Sequence, residues 1–413
     1  MKQARWLAIG ALSLFVLLRG VLPAMEGIDT DFPNYYTSAK LLISGGDMSR
    51  VYDDAWFQDQ IHLNGMNQLG KFAPFPPVTA LVMVPVVFLS PQNALRVWTI
   101  FNLVLLAYTI VLVSKIMENS WSWGALVVLL SGHALANNFR FGQFYLVLTL
   151  LILLGYRFWL QGRTGVSGAL FGIGACFKYF PAIFLLQFAA RREWKTIASF
   201  AATVALVTTI SIALLGPAVH LEFLRRVLGP HLQGNIQDPF SPMFQSWNSL
   251  LKRMFTYDSV QNPNPLVNGS LGYVVGLTIV YAIVAVALLS GIRNARSNPG
   301  AYASSIQFAL IGIAGLLLLP ASATYHFLLL LPSVAILLKG KRWTFSQKAL
   351  LVFYSCIGFL PYRYFEQFSS RGVLMILAYP RLILMSALFV AALSIVHEGP
   401  KDHRLIAVEP SGA

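Results

Sequence analysis

Apolar runs of roughly 17 to 25 residues, divided by short polar or proline-containing breaks, recur from one end of the chain to the other. Each is long enough to cross a hydrocarbon core of about 30 Å as a helix. The runs and their breakers predict spans at 6–23, 76–90, 97–114, 121–137, 143–160, 166–188, 196–216, 271–291, 302–319, 326–338, 347–362 and 373–396. This pattern predicts an all-α integral membrane protein, a polytopic helical bundle of about 12 transmembrane helices in a single membrane domain, 1–413. The first run follows Lys2 and Arg5 and exits through Leu22-Pro23-Ala24-Met25-Glu26. That exit is a poor cleavage site, so the run reads as an uncleaved anchor.

Lysines and arginines near the span ends set the orientation. With a cytoplasmic N-terminus, half of the 30 basic residues fall in short inside loops, among them Arg96, Arg140, Arg191, Arg192, Lys195, Arg296, Lys339, Lys341, Lys401 and Arg404. Basic residues are then about threefold denser inside than outside, as the positive-inside rule requires. Both termini, including a tail at 397–413, are expected in the cytoplasm, and the long loops 24–75 and 217–270 outside. Any chemistry is expected on the extracytoplasmic face.

In the first outer loop, Phe32, Tyr35, Tyr36, Ala39, Leu42 and Ile43 recur at helical spacing as far as Gly45-Gly46. At about 14 residues this segment is too short to span and reads as an amphipathic interfacial helix, its tyrosines at headgroup depth. Asp31 stands where the N-cap belongs, with Pro33 in the first turn. Asp29-Thr30-Asp31 also matches the Asp-x-Asp pattern with which soluble glycosyltransferases hold a metal and a nucleotide sugar. Nucleotide sugars are made in the cytoplasm, so the outward position argues against that use.

Composition narrows the class. With 56% hydrophobic and 11% charged residues, the 413-residue chain is far from the roughly 25% charged residues of soluble proteins. Its net charge of +14 comes from basic residues scattered between apolar spans, which excludes a nucleic-acid surface. Cys176 and Cys356 both fall inside apolar runs, so neither a disulfide framework nor a metal site is expected.

Polar groups at membrane depth are costly and therefore candidates for function. Lys178 sits in Phe177-Lys178-Tyr179-Phe180-Pro181, Arg381 follows Pro380, and His326 lies in the polar patch Ser322-Ala323-Thr324-Tyr325-His326. No Asp or Glu lies deep in any predicted span, which counts against a proton-coupled pump. In the second outer loop, Gln245, Ser246, Asn248, Lys252 and Arg253 offer amides, hydroxyls and charge to a sugar phosphate. Arg363 and Arg371 flank Glu366 in the last outer loop as further phosphate contacts.

Asp31-Phe32 with Tyr35-Tyr36, Gly45-Gly46, Val51-Tyr52, Gly142-Gln143, Phe177-Lys178-Tyr179-Phe180-Pro181, Gln245-Ser246-Trp247-Asn248-Ser249-Leu250 and Tyr325-His326 together resemble glycosyltransferase family 87. The resemblance covers nearly the whole chain in order. It departs at Tyr145, where the family pattern Gln-x-Asn leads one to expect Asn, and at Tyr179, where Pro is common. It implies a GT-C type membrane enzyme that moves a hexose, typically mannose, from a polyprenyl-phosphate carrier with inversion. It carries the catalytic base onto Asp31 and a second site residue onto His326; by their location and chemistry Tyr35, Tyr36, Lys178, Gln245, Ser246, Asn248, Lys252, Arg253, Tyr325, Arg363 and Arg371 are the expected substrate contacts.

The implied partners are a polyprenyl-phosphate sugar donor, a glycan or glycolipid acceptor and membrane lipids, in the bacterial cytoplasmic membrane. No cofactor is expected, and nothing in the sequence demands a divalent metal. The chemistry agrees: inversion needs one carboxylate to deprotonate the acceptor hydroxyl, while cations stabilise the departing phosphate. Two other readings use the same residue types, a transporter or flippase of lipid-linked sugars and an enzyme like an O-antigen ligase or polymerase. The first predicts internal repeats with paired broken helices, and the second a dispensable first-loop acid.

Overall fold

The computed structural model describes residues 2–398 except 233, 236–237 and 296–299. The tail beyond residue 398, with Lys401 and Arg404, and Arg296 lie outside the described residues. Among these residues the chain is helical with no named strand; one isolated bridge pairs Asp258 with Asn262. Four helices are long and apolar enough to cross a membrane unaided: Lys2–Glu26, Pro91–Ile116, Trp194–Leu215 and Ser270–Ala295. The pair Gly372–Ala378 and Pro380–Val396, bent by 68°, makes up to a fifth. The other expected spans are present as shorter or broken apolar helices, so the expected count of about 12 is not met by continuous spans.

Two of the expected spans differ in kind, and proline is the reason in both. In 76–90, Pro76, Pro77 and Pro85 remove backbone donors that an α-helix needs. The segment folds into two short 3₁₀ turns, Pro77–Leu81 and Val84–Val86. It does not run the length of the bundle, because Arg96, just beyond it, donates to the Met25 carbonyl at the end of the first helix, 2.9 Å away. Farther on, Arg140 meets Asp29 at 2.6 Å. Arg96 and Arg140, expected at the end opposite Asp31, are therefore both at the Asp31 end.

In 166–188 the helix Thr164–Phe177 stops at Lys178, whose backbone is extended, and resumes after Pro181 as Phe180–Phe184 and Leu185–Ala190. A straight helix would separate residues 171 and 188 by about 25 Å. Instead the rings of Phe171 and Phe188 are 5.4 Å apart, so the chain doubles back with Lys178 at the tip. The helix Trp194–Leu215 then runs parallel to Thr164–Phe177. Gly168 abuts Thr196 and Gly172 abuts Phe200, each so closely that a Cβ would collide with backbone oxygen. This small-residue seam is a usual way for membrane helices to approach.

One expected crossing is thus absent and one is doubled, so residues 91–177 run in the sense opposite to that expected, and the two differences cancel from Arg191 onward. Met117, Asn119 and Glu118 meet Gly340 and Lys339 at the far end. The helix Phe32–Ile43 also departs from expectation. Its aromatic face is not open to lipid headgroups: Phe32, Tyr35, Tyr36 and Ala39 are all buried, covered by the residues that follow it and by Ala94, Leu95 and Trp98.

Candidate active site

Asp31 forms the corner between the first helix and Phe32–Ile43. Its φ is 70° and ψ −46°, and the Phe32 amide donates to the Thr30 carbonyl across it at 2.9 Å. This is a γ-turn of the positive-φ kind, strained for any residue bearing a Cβ. The position is the expected helix cap, yet the carboxylate does not cap. Asp31 Oδ2 instead accepts from Gln143 Nε2 at 2.7 Å, and Tyr325 lines the same cavity beside it.

Gln143 is fully buried and held from behind. The Tyr35 hydroxyl donates to Gln143 Oε1 at 2.9 Å, and the Tyr35 ring stacks on Phe75 at 4.7 Å. With the oxygen so engaged, the amide NH₂ must face Asp31. Burial raises the Asp31 carboxyl above its ordinary 3.8, opposed first by the Gln143 hydrogen bond, then by the Lys178 charge and the Tyr325 hydroxyl. Asp29 has a different fate. Its oxygens accept from Arg140 Nε and the Thr30 amide, at 2.6 and 2.8 Å.

Asp31 opens onto a cavity of about 600 Å³ whose walls come from distant stretches of chain. Asn34, Asp54, Gly70, Lys71 and Phe75 come from the first loop, Tyr145, Lys178 and Tyr179 from the middle, and Tyr325 and His326 from the late 3₁₀ turn Thr324–Leu329. Lys178 Nζ stands 3.9 Å from the Phe75 ring centre and 5.3 Å from that of Tyr145, cation–π contacts that hold an ammonium away from bulk water. His326 Nδ1 accepts from the Ala323 amide at 2.7 Å, so the neutral ring carries its proton on Nε2. Arg381 braces this turn, donating to Thr324 Oγ1 at 2.6 Å and to the Leu360 carbonyl at 2.9 Å.

Of the residues expected to contact substrate, Lys178 and Tyr325 line the cavity with Asp31 and His326, and the rest do not. Tyr35 acts through Gln143. Tyr36 donates to the Val87 and Leu89 carbonyls, which the proline-broken segment leaves without helical partners. Gln245 bonds the Pro242 and Ala378 carbonyls and the Arg381 amide. Ser246 caps the helix Trp247–Phe255 and donates to the Pro320 carbonyl. Asn248 bonds the Gly234 and Pro320 carbonyls and the Tyr273 hydroxyl. Lys252 donates to Asn235 Oδ1, and Arg253 to the Ser369 and Phe240 carbonyls. Arg363 and Arg371 are exposed and away from the cavity.

Asn34, Tyr145 and His231 are among the cavity residues that were not expected. Gln143 was visible as a polar residue ahead of an apolar run, and only the assumed crossing at 76–90 put it at the wrong end. Among the described residues no group of three His, Cys, Asp or Glu could hold a metal ion.

A family model described as glycosyltransferase family 87 matches residues 72–320. That stretch contains Gln143, Tyr145 and Lys178 but stops short of Asp31 and His326. A polyprenol-phosphate-mannose-dependent alpha-(1-2)-phosphatidylinositol pentamannoside mannosyltransferase of Mycolicibacterium smegmatis is 26% identical over 274 residues, 64% of this chain and 61% of that protein. A polyprenol-phosphate-mannose-dependent alpha-(1-2)-phosphatidylinositol mannoside mannosyltransferase of the same organism is 23% identical over 327 residues, 70% of this chain and 68% of that protein. The chain thus matches less than two thirds of the length of the first of these relatives.

Proposed function

The chain belongs to glycosyltransferase family 87, and from that premise we propose that it transfers a hexose, mannose, from a polyprenyl-phosphate carrier to a glycan or glycolipid acceptor. The observation that carries the reading is the convergence of one strained carboxylate, one half-buried lysine and one imidazole on a single cavity. The proposal comprises a single GT-C membrane domain crossing the bilayer about 12 times, both termini cytoplasmic and the cavity extracytoplasmic. The reversed course of 91–177 supports that orientation, because it removes Arg96 and Arg140 from the basic end and adds Lys115, Arg157 and Arg163.

Asp31 accepts the proton of the acceptor hydroxyl as that oxygen attacks the anomeric carbon, and the polyprenyl phosphate leaves from the opposite face of the sugar. The leaving group is a stable anion and needs no general acid. Lys178 and the Nε2–H of His326 balance its growing charge, so no resident metal is invoked. Gln143 and Tyr35 position Asp31: the amide donor aims the carboxylate and favours its ionised, basic form. Tyr325 shares that work from the other side.

The central test is Asp31→Asn. Asparagine tolerates positive φ and keeps the shape, so the variant is expected to reach the membrane at normal levels. It should lose at least about a hundredfold in transfer from polyprenyl-phosphate mannose, the usual scale of a general base. Full transfer by this variant would refute the assignment.

A further inference from the structure

We propose a second ligand site, distant from the cavity: a cleft that binds the phosphate headgroup of an anionic phospholipid. It lies between the helices Pro91–Ile116 and Tyr145–Leu160 and has a volume of about 230 Å³. Lys115, Arg157, Tyr108 and Gln161 line it over Leu112 and Leu154. Both helices begin at the Asp31 end, through Arg96 and Tyr145, and finish here. Counted along the second helix from Tyr145 in the cavity wall, Arg157 and Gln161 are about 18 and 24 Å away, well over half a hydrocarbon core. Its ligand therefore belongs to the other leaflet and is not a substrate of the Asp31 cavity.

The charge in the cleft is one-sided. Among the described residues neither Lys115 nor Arg157 enters an ion pair, and no carboxylate lines the cleft. The adjacent Glu118 is engaged by Lys339 at 2.7 Å. A third cation, Arg163, lies over the ring of Phe158, which also lines the cleft, at 4.6 Å. Cations near helix C-termini are favoured by the helix dipole alone. The dipole does not account for two of them, from two helices, flanking a concave volume with a tyrosine and an amide between. Basic clefts of this kind between membrane helices suit lipid phosphate.

The wall leading away from the cleft selects a lipid over a free anion. Phe101, Val104, Tyr108 and Val111 form an outward stripe at helical spacing, 46, 63, 47 and 37% exposed. It starts at the cleft and runs toward the Asp31 end, as an acyl chain anchored by its headgroup would.

The experiment is native mass spectrometry of the full-length protein in detergent, titrated with phosphatidylglycerol or with phosphatidylcholine of the same acyl chains. Preferential retention of phosphatidylglycerol is expected, weakened about fivefold by each neutralised cation in Lys115→Gln, Arg157→Gln and their combination. Equal retention of phosphatidylcholine, or undiminished phosphatidylglycerol binding by the double variant, would overturn the proposal. Displacement of the lipid by millimolar inorganic phosphate would equally overturn it, by making a free anion the occupant. Lys115 is exposed, so Lys115→Gln supplies the decisive comparison if Arg157→Gln fails to fold.

Discussion

In the stretch that follows the first helix, polar side chains turn toward open space: Asp31, Asn34 and Lys71 face the cavity with Lys178 and His326. In 217–270 a richer set of polar side chains turns toward the protein's own backbone. Gln245, Ser246, Asn248 and Arg253 are spent on the carbonyls of Pro242, Pro320, Gly234, Ser369 and Ala378. The difference lies in the neighbouring backbone. Irregular chain at 320–323 and 369–371, with the end of the 3₁₀ turn Gly372–Ala378, is packed against apolar helices and offers carbonyls with no helical partner, and unsatisfied carbonyls there cost more than a free amide side chain. Around Asp31 the irregular chain bonds partly within itself, through the Thr30–Phe32 turn and the 3₁₀ turns of 77–86, and Tyr36 and Tyr52 take the Val87, Leu89 and Phe75 carbonyls, which leaves Asp31, Asn34 and Lys71 to line the cavity.

Substitutions divide along this line. After Asp31→Asn, the largest losses are expected for Lys178→Gln and His326→Ala, each lowering turnover by about 10²-fold as charge stabilisation of the leaving phosphate is removed. Steady-state kinetics with a polyprenyl-phosphate mannose donor would read this, and unchanged turnover would remove the residue from the site. Gln143→Leu comes next, with about tenfold lower turnover and a displaced pH profile. Asp31 works as the carboxylate, and burial has already raised its pKa. Turnover should therefore rise with pH through a limb above the ordinary aspartate range. Losing the amide that favours the ionised form must move that limb to still higher pH. A profile that drops uniformly without shifting would reduce Gln143 to packing.

The smallest catalytic effect is expected on the other side of the comparison. Asn248→Ala should leave KM for the donor and turnover within about twofold while lowering stability by roughly 1 to 3 kcal/mol, the cost of stranding buried partners. Thermal denaturation beside kinetics separates the two, and a selective rise in KM would return the second loop to the substrate site.

The helical class and its apolar elements were legible because hydrophobic runs of membrane length, repeated through a whole chain, are stable only in a bilayer. Asp31 and His326 were legible as scarce polar residues interrupting such runs. The course of the chain between residues 76 and 190 was not, because run length says nothing about whether a proline-broken stretch crosses or turns back. Pro76, Pro77 and Pro85 belong to a stretch that does not cross, and Pro181 to one that turns back. Gln143 was lost with that error. The polar residues of 217–270 misled for another reason: composition reveals that a side chain can hydrogen-bond but not whether a nearby carbonyl will claim it.

The γ-turn at Asp31 sets two selective pressures against each other. Glycine would relax the φ of 70° at no steric cost, and by that measure it would give the more stable chain. It would also remove the carboxylate that Gln143 holds at the cavity lined by Lys178. Residue 31 is thus a position where improvement of the fold and retention of the proposed activity exclude each other, and the strained corner persists only while the cavity is in use.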